Sequence, residues 1–115
     1  MNTDAVVVLV TCGQRAEARR IARAAVEKRL AACVNVLGAR VRSVYRWQGK
    51  VEEASEILLV MKTTRRRLAA LRAMVERLHS YDVPEFIALP VVAGAPRYLA
   101  WVRESVQTPA KGKKR

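Results

Sequence analysis

The chain has little of the side-chain chemistry on which most enzymes run. Its 115 residues include one histidine and two cysteines. His79 has no serine and aspartate that the sequence places beside it as a catalytic set. There is no phosphate-cradling P-loop and no GxGxxG. Cys12 and Cys33 lack CxxC spacing, which excludes a paired redox or zinc motif and leaves two free thiols, the ordinary state in the cytoplasm. No apolar run approaches the roughly 20 residues that span a bilayer. The longest, 5–10 and 57–61, are strand-sized. Residues 1–4 do not lead from a basic stretch into an apolar one, so no secretory leader is expected. Acid is also scarce: 10 Asp and Glu stand against 22 Lys and Arg, a formal charge of +12.

That charge raises nucleic acid or another polyanion as a partner. Its distribution argues for something plainer. Four of the positives lie in the tail 111–115, which follows Pro109, has no apolar residue and reads as disordered. Six more (Arg15, Arg19, Arg20, Arg23, Lys28 and Arg29) lie on one expected helix, where a solvated face accounts for them. Residues 1–106 are expected to form one folded domain, and 107–115 a basic tail.

What the chain does have is strong patterning. Residues 5–10, AVVVLV, are a continuous β-branched run, the mark of a central strand covered on both faces. Over 14–30, Ala18, Ile21, Ala22, Ala25, Val26 and Leu30 recur at three- and four-residue steps, which predicts an amphipathic helix. A second strand opens at Ala32 and is interrupted at Gly38, where a bulge or kink is expected. Residues 40–62 then read as one long hairpin turning at Gly49, the residue that takes a positive φ without steric cost. Its arms could each run to about a dozen residues against a usual 5–6. They would project beyond a compact core while carrying Tyr45 and Trp47, and such an overhang needs cover. Thr63 and Thr64 offer an N-cap hydroxyl to a second helix over 65–79. The triple arginine 65–67 has no structural reason at this point, because positive charge is unfavourable in a first helical turn. Residues 80–85 are a loop around Pro84. Residues 86–92 are a strand that Pro90 confines to an edge. Pro96 starts a short last helix.

The order β-α-β-β-α-β plus a helix has one obvious packing, the ferredoxin-like α+β sandwich with an antiparallel sheet. Its first and third strands are central and its second and fourth are edges. Many functions share that fold. An RNA-recognition domain would need aromatics on the two central strands, and VVVLVT and ILLVMK have none. A heavy-metal carrier would need paired cysteines in the first loop, where Cys12 stands alone. A phosphate-cradling loop would need more than one glycine in TCGQ. What remains are polar groups at strand ends and in the second loop: His79, Tyr81, Asp82 and Glu85, with Lys62 and Glu56 near.

Five segments now resemble a known family: RLAACVNVLG (29–38), SVYRWQGKVEE (43–53), LLVMKTT (58–64), LHSYDVPEFIALPV (78–91) and YLAWVRESV (98–106). In this order they are similar to the CutA proteins of divalent-cation tolerance. The resemblance implies a non-enzymatic cytoplasmic homotrimer, similar in architecture to PII signal proteins, whose long hairpins pair between subunits. That would make Val41, Val44, Tyr45 and Trp47 interface residues. It implies copper or another divalent metal as ligand. His79, Tyr81, Pro84 and Glu85 match the family's HPYxxPE block, with Ser80 in place of its first proline. Where some members have a second histidine and a cysteine, this chain has Leu78 and Val10. His79 is therefore the one expected metal ligand. Lys62, Tyr81, Glu85 and Glu56 are the expected lining of a pocket between subunits. With Lys62 and the arginines 65–67 near, that pocket suits an anionic small molecule as well as a cation.

Overall fold

The computed structural model describes residues 3–107. The basic tail, from residue 108 on, lies outside the described residues. Five strands and three helices follow in the order β1 (Ala5–Cys12), α1 (Arg15–Glu27), β2 (Cys33–Val36), β3 (Val41–Trp47), β4 (Lys50–Thr64), α2 (Leu68–Leu78), β5 (Ile87–Pro90) and α3 (Pro96–Ser105). One 3-10 turn, Arg65–Arg67, precedes α2. The sheet runs β2-β4-β1-β5, with β3 also paired to β4, and every pairing is antiparallel. This is the ferredoxin-like arrangement with β1 and β4 at its centre.

The pleat divides the central strands into two faces. Val6, Val8, Val10 and Cys12 of β1 and Ile57, Leu59 and Met61 of β4 are buried against Ile21 and Ala25 of α1 and Leu71, Met74 and Val75 of α2. The opposite face is less well covered. In it Leu9 pairs with both Val60 and Ile87, Val7 pairs with Leu89, and Thr11 pairs with Leu58. Val7, Leu9, Leu58 and Val60 are only half-buried, while Ile87 and Leu89 are exposed. Ala32, Val102 and Val106 form a small separate cluster where α3 docks.

The hairpin is longer than the sheet that supports it. Residues 57–64 of β4 pair with β1, and residues 50–56 pair only with β3. Gln48 (φ 51°) and Gly49 (φ 81°) close it, two left-handed residues as a type I′ turn requires. The break expected at Gly38 is wider than a kink and separates β2 from β3. Val36 faces Leu59 and Val41 faces Glu56, so the edge spends two more residues than β4 over this length.

Three local expectations give way to tertiary contacts. Thr63 and Thr64 do not cap α2, because the register Ala5↔Thr64 and Val6↔Thr63 keeps both in β4. Thr63 Oγ1 instead donates to the Leu30 carbonyl at 2.6 Å. Helix α1 stops at Glu27 rather than Leu30, since Arg29 turns left-handed (φ 58°). The Leu30 N–H then bonds the Ala25 carbonyl and the Arg29 N–H that of Val26, a Schellman closure. The arginines of 65–67 stand ahead of α2 rather than in its first turn, and one has a structural task. Arg67 Nε donates to the Val106 carbonyl at 2.7 Å, and Arg29 Nη1 donates to Ser105 at 3.2 Å, so two guanidinium groups hold the last carbonyls of α3.

Ile57 has no exposed surface and pairs with Cys12 at the last position of the central β1–β4 ladder. Ile57→Ala should therefore lose about 2–5 kcal/mol through lost burial and the cavity left behind. Val83→Ala, at an exposed loop position, should stay within about 0.5 kcal/mol. Denaturant unfolding of both variants at one protein concentration checks the contrast.

Candidate functional site

The end of β1, the start of α1 and the end of α2 converge on one buried spot. Cys12 is the last residue of β1 and points to the inner face. Glu17 stands in the first turn of α1, where a carboxylate suits the helix dipole. It lies one turn before Ile21 and is carried inward on the same stripe. His79 caps α2, its N–H bonding the Val75 carbonyl at 2.9 Å while its ring turns under β1. The His79 side chain is fully buried, and that of Glu17 is 7% exposed. The sulfur, one carboxylate oxygen and one ring nitrogen of these three residues all lie within 4.8 Å of one another.

The hydrogen bonds fix how the imidazole is used. His79 Nε2 lies 2.7 Å from the Thr11 carbonyl oxygen, which can only accept, so Nε2 carries the proton. Nδ1 keeps its lone pair and accepts the Tyr81 N–H at 3.1 Å. Glu17 Oε1 accepts the Ser80 N–H at 3.1 Å. Glu17 Oε2 has no hydrogen-bond partner and faces His79 Nδ1 at 3.4 Å. Two lone-pair atoms thus look at each other inside the protein, an arrangement a cation between them would relieve. A ring N–H donating to a backbone carbonyl is also the usual outer support of a metal-binding histidine. The residues present fit a metal ion.

Tyr81 covers this spot. Its ring lies 4.6 Å from that of His79, and its hydroxyl donates to Glu56 Oε2 at 2.8 Å. Gly13 makes room for it, since a Cβ there would come within 3.0 Å of the hydroxyl. Arg40 ties the loop after β1 to the base of the hairpin, its Nη1 donating to the carbonyls of Gly13 (3.2 Å) and Ser55 (3.1 Å). Burial raises the Tyr81 phenol above its ordinary range, with the bond to Glu56 adding to it. Burial raises the Glu85 carboxyl above its ordinary range, and the charge of Glu56 adds to it.

The structure therefore brings His79, Tyr81 and Glu56 together, and Glu85 stands half-buried in the same loop as Tyr81. It does not bring Lys62 to them. Six residues beyond Glu56 on β4, Lys62 stands about 20 Å away, hydrogen-bonded to Asn35 of β2. Within one chain β4 thus carries Lys62 toward the end opposite Glu56. Val44, Tyr45 and Trp47 are exposed and Val41 is half-buried, all on the overhanging hairpin. Cys12 and Glu17 escape a sequence reading that treats Cys12 as a loop thiol and α1 as a basic helix. The signal was the spacing of Glu17 from Ile21, which puts the one acid of the first turn on the apolar stripe.

These features define a class first: a ferredoxin-like subunit with an overhanging hairpin and a buried thiol–carboxylate–imidazole group behind it. A family profile described as CutA1 divalent ion tolerance protein matches residues 6–105. The divalent-cation tolerance protein CutA of Thermus thermophilus is 50% identical over 99 residues, 86% of this chain and 95% of that protein. Human protein CutA is 48% identical over 99 residues, 86% of this chain but 55% of that longer protein. The solved CutA1 of Oryza sativa superposes with a TM-score of 0.87 at 40% identity, covering 92% of this chain and 96% of that one. The chain belongs to the CutA family of divalent-cation tolerance proteins. Among the described residues no helix is long and apolar enough to cross a membrane.

Burial, then the charges of Glu17 and Glu56, pushes the Cys12 thiol up from 9.0 to about 12. The folded state therefore favours the protonated thiol. This contribution to stability is present below the ordinary thiol value and is lost as pH rises toward the folded one. In the native protein at about pH 8, a thiol reagent, which attacks the thiolate, should modify half-buried Cys33 and spare Cys12, and in denaturant it should modify both. Mass spectrometry after tryptic digestion reads the difference. Equal native labelling would contradict the burial of Cys12.

Proposed function

We propose that this protein is a non-enzymatic homotrimer that binds copper or another divalent metal, or a small ligand, and takes part in the response to metal ions. The observation that carries the metal reading is the buried gap between His79 Nδ1 and the unpartnered Glu17 Oε2. The names of the similar proteins support it. Two features support the assembly. The outer sheet face leaves Val7, Leu9, Leu58, Val60, Ile87 and Leu89 incompletely covered. The hairpin carries Val44, Tyr45 and Trp47 into solvent beyond the core. A second and third copy would bury both and give the PII-like trimer, with Val41, Val44, Tyr45 and Trp47 at its interfaces.

The ligand cleft on this reading lies between subunits, at the base of the hairpin. Glu56, Tyr81 and Glu85 line it from one chain. Lys62 is too far along β4 to join them from that chain and would belong to a cleft only through a neighbour. Two free cysteines, one of them half-buried, fit a cytoplasmic location. Nucleic acid is the weaker reading, because the exposed arginines of α1 have no aromatic stacking platform on the central strands.

Two measurements test this. Sedimentation should give a species of three times the 12.9 kDa chain mass, and a stable species at the single-chain mass would overturn the trimer. Calorimetry with Zn(II) and Cu(II) should show binding that His79→Ala weakens by at least about tenfold, the lower bound seen even for loss of an outer-shell partner. Unchanged affinities would remove His79 as a ligand.

A further inference from the structure

Resting on that reading, we infer that Cys12 Sγ, Glu17 Oε2 and His79 Nδ1 form a buried three-donor site for a thiophilic cation of the zinc class, which would take the place on Nδ1 now held by the Tyr81 N–H. The proposed function rests on His79 and Glu17 without Cys12, and the family resemblance implies neither Cys12 nor Glu17 as a ligand. The structure brings them in from separate elements, the end of β1 and the first turn of α1.

Three observations select the class of ion. The first is the donor set. One sulfur, one nitrogen and one carboxylate oxygen suit zinc and its neighbours, which accept such mixed sets at four-coordinate sites, often with three protein ligands and one open position. Magnesium and calcium need about six to eight oxygen donors. Here the oxygens shown beside the His79 ring and Ser80 are the two of Glu17 and the Thr11 carbonyl. Of these, Glu17 Oε1 already serves the Ser80 N–H, and the carbonyl already serves His79 Nε2. The second is spacing. Ligand atoms around a tetrahedral zinc sit roughly 3.3–3.6 Å apart, given metal–ligand lengths near 2.0–2.3 Å. Glu17 Oε2 and His79 Nδ1 are 3.4 Å apart, and one donor atom from each of the three residues lies within 4.8 Å of the others, so closure needs movement of about an ångström rather than rebuilding of the fold. The third is charge. A thiolate and a carboxylate together neutralise one divalent ion, which lowers the cost of holding that ion where the His79 side chain is fully buried. On binding, the Cys12 sulfur–hydrogen bond is replaced by a sulfur–metal bond, and the proton leaves to solvent.

Tyr81 follows from the same geometry. Its N–H occupies the Nδ1 lone pair, its ring covers the imidazole, and its hydroxyl is tied to Glu56. An incoming ion must displace the N–H, so the 79–85 loop must shift. Tyr81 is thus a positioning residue and not a ligand.

Cobalt(II) tests this, because cobalt bound to a thiolate gives a near-ultraviolet charge-transfer band that oxygen and nitrogen ligation does not. Titration of the full chain with Co(II) should produce that band. Zn(II) should abolish it by competition, while Mg(II) and Ca(II) in large excess should leave it in place. Cys33→Ser should keep the band, Cys12→Ser should lose it, and Glu17→Gln should bind Co(II) at least about tenfold more weakly. Circular dichroism confirms that each variant is folded, and Cys33→Ser, in which Cys12 is the one thiol left, keeps the test decisive should Cys12→Ser fail to fold. Cobalt binding without a sulfur band, a band lost in Cys33→Ser but kept in Cys12→Ser, or displacement by Mg(II) would overturn this inference while leaving the proposed metal binding intact. No binding of Co(II), Zn(II) or Cu(II) to the wild type would overturn both.

Discussion

The antiparallel pairing of β1 with β4 sets the position of everything else. Eight consecutive residue pairs, from Ala5↔Thr64 to Cys12↔Ile57, lock the two central strands. That register puts Val8, Val10, Ile57, Leu59 and Met61 on one face, where α1 and α2 cover them. At one end of the pairing, Cys12 delivers its thiol beneath the close of α2. At the same end β4 runs past β1 and becomes one arm of the hairpin. The site and the overhang are thus two consequences of one fact: β4 has 15 residues and β1 has 8. Glu56, the first β4 residue outside the shared ladder, is the group to which Tyr81 is tied.

The buried group depends on this register through a chain of single contacts. Thr11 presents the carbonyl that fixes the His79 tautomer. Gly13 leaves the space that Tyr81 fills, and Arg40 holds that glycine against Ser55 of the hairpin. A slip of one residue would turn Cys12 to the outer face and remove the thiol from the imidazole, since successive strand residues alternate in direction. Local order at the site is therefore set by sheet register more than by the loop that carries His79 and Tyr81.

Much of the fold was legible because apolar continuity and strand breakers report burial directly. The unbroken runs of β1 and β4 announced central strands. Gly38 and Pro90 announced edges, and Gly49 the turn. The misses share a cause, which is that tertiary partners outweighed local preference. Thr63 and Thr64 have the chemistry of caps, but the β1 register holds them in the strand. Arg29 is a poor left-handed residue, yet the chain must turn there to enter β2. At the site, His79, Tyr81, Glu85 and Glu56 were legible as polar groups at strand ends and in one loop. Lys62 lies away from this group within its own chain, and the pocket expected for it is one between subunits. Glu17 was hidden by its neighbours, since a helix rich in arginine reads as solvated throughout unless each position is assigned to a face.

The last helix is held in a way that sets it apart. Its apolar anchorage is the small cluster of Val102 and Val106 on Ala32, separate from the main core. Its final carbonyls are held by Arg29, from the left-handed turn after α1, and by Arg67, from the turn before α2. Guanidinium groups at a helix C-terminus interact favourably with its dipole, and added salt weakens that attraction. With little apolar area and much of its hold in such contacts, α3 is the segment whose amides should open to hydrogen exchange ahead of the β1–β4 ladder. Its protection should fall with ionic strength, while that of the central strands stays nearly constant.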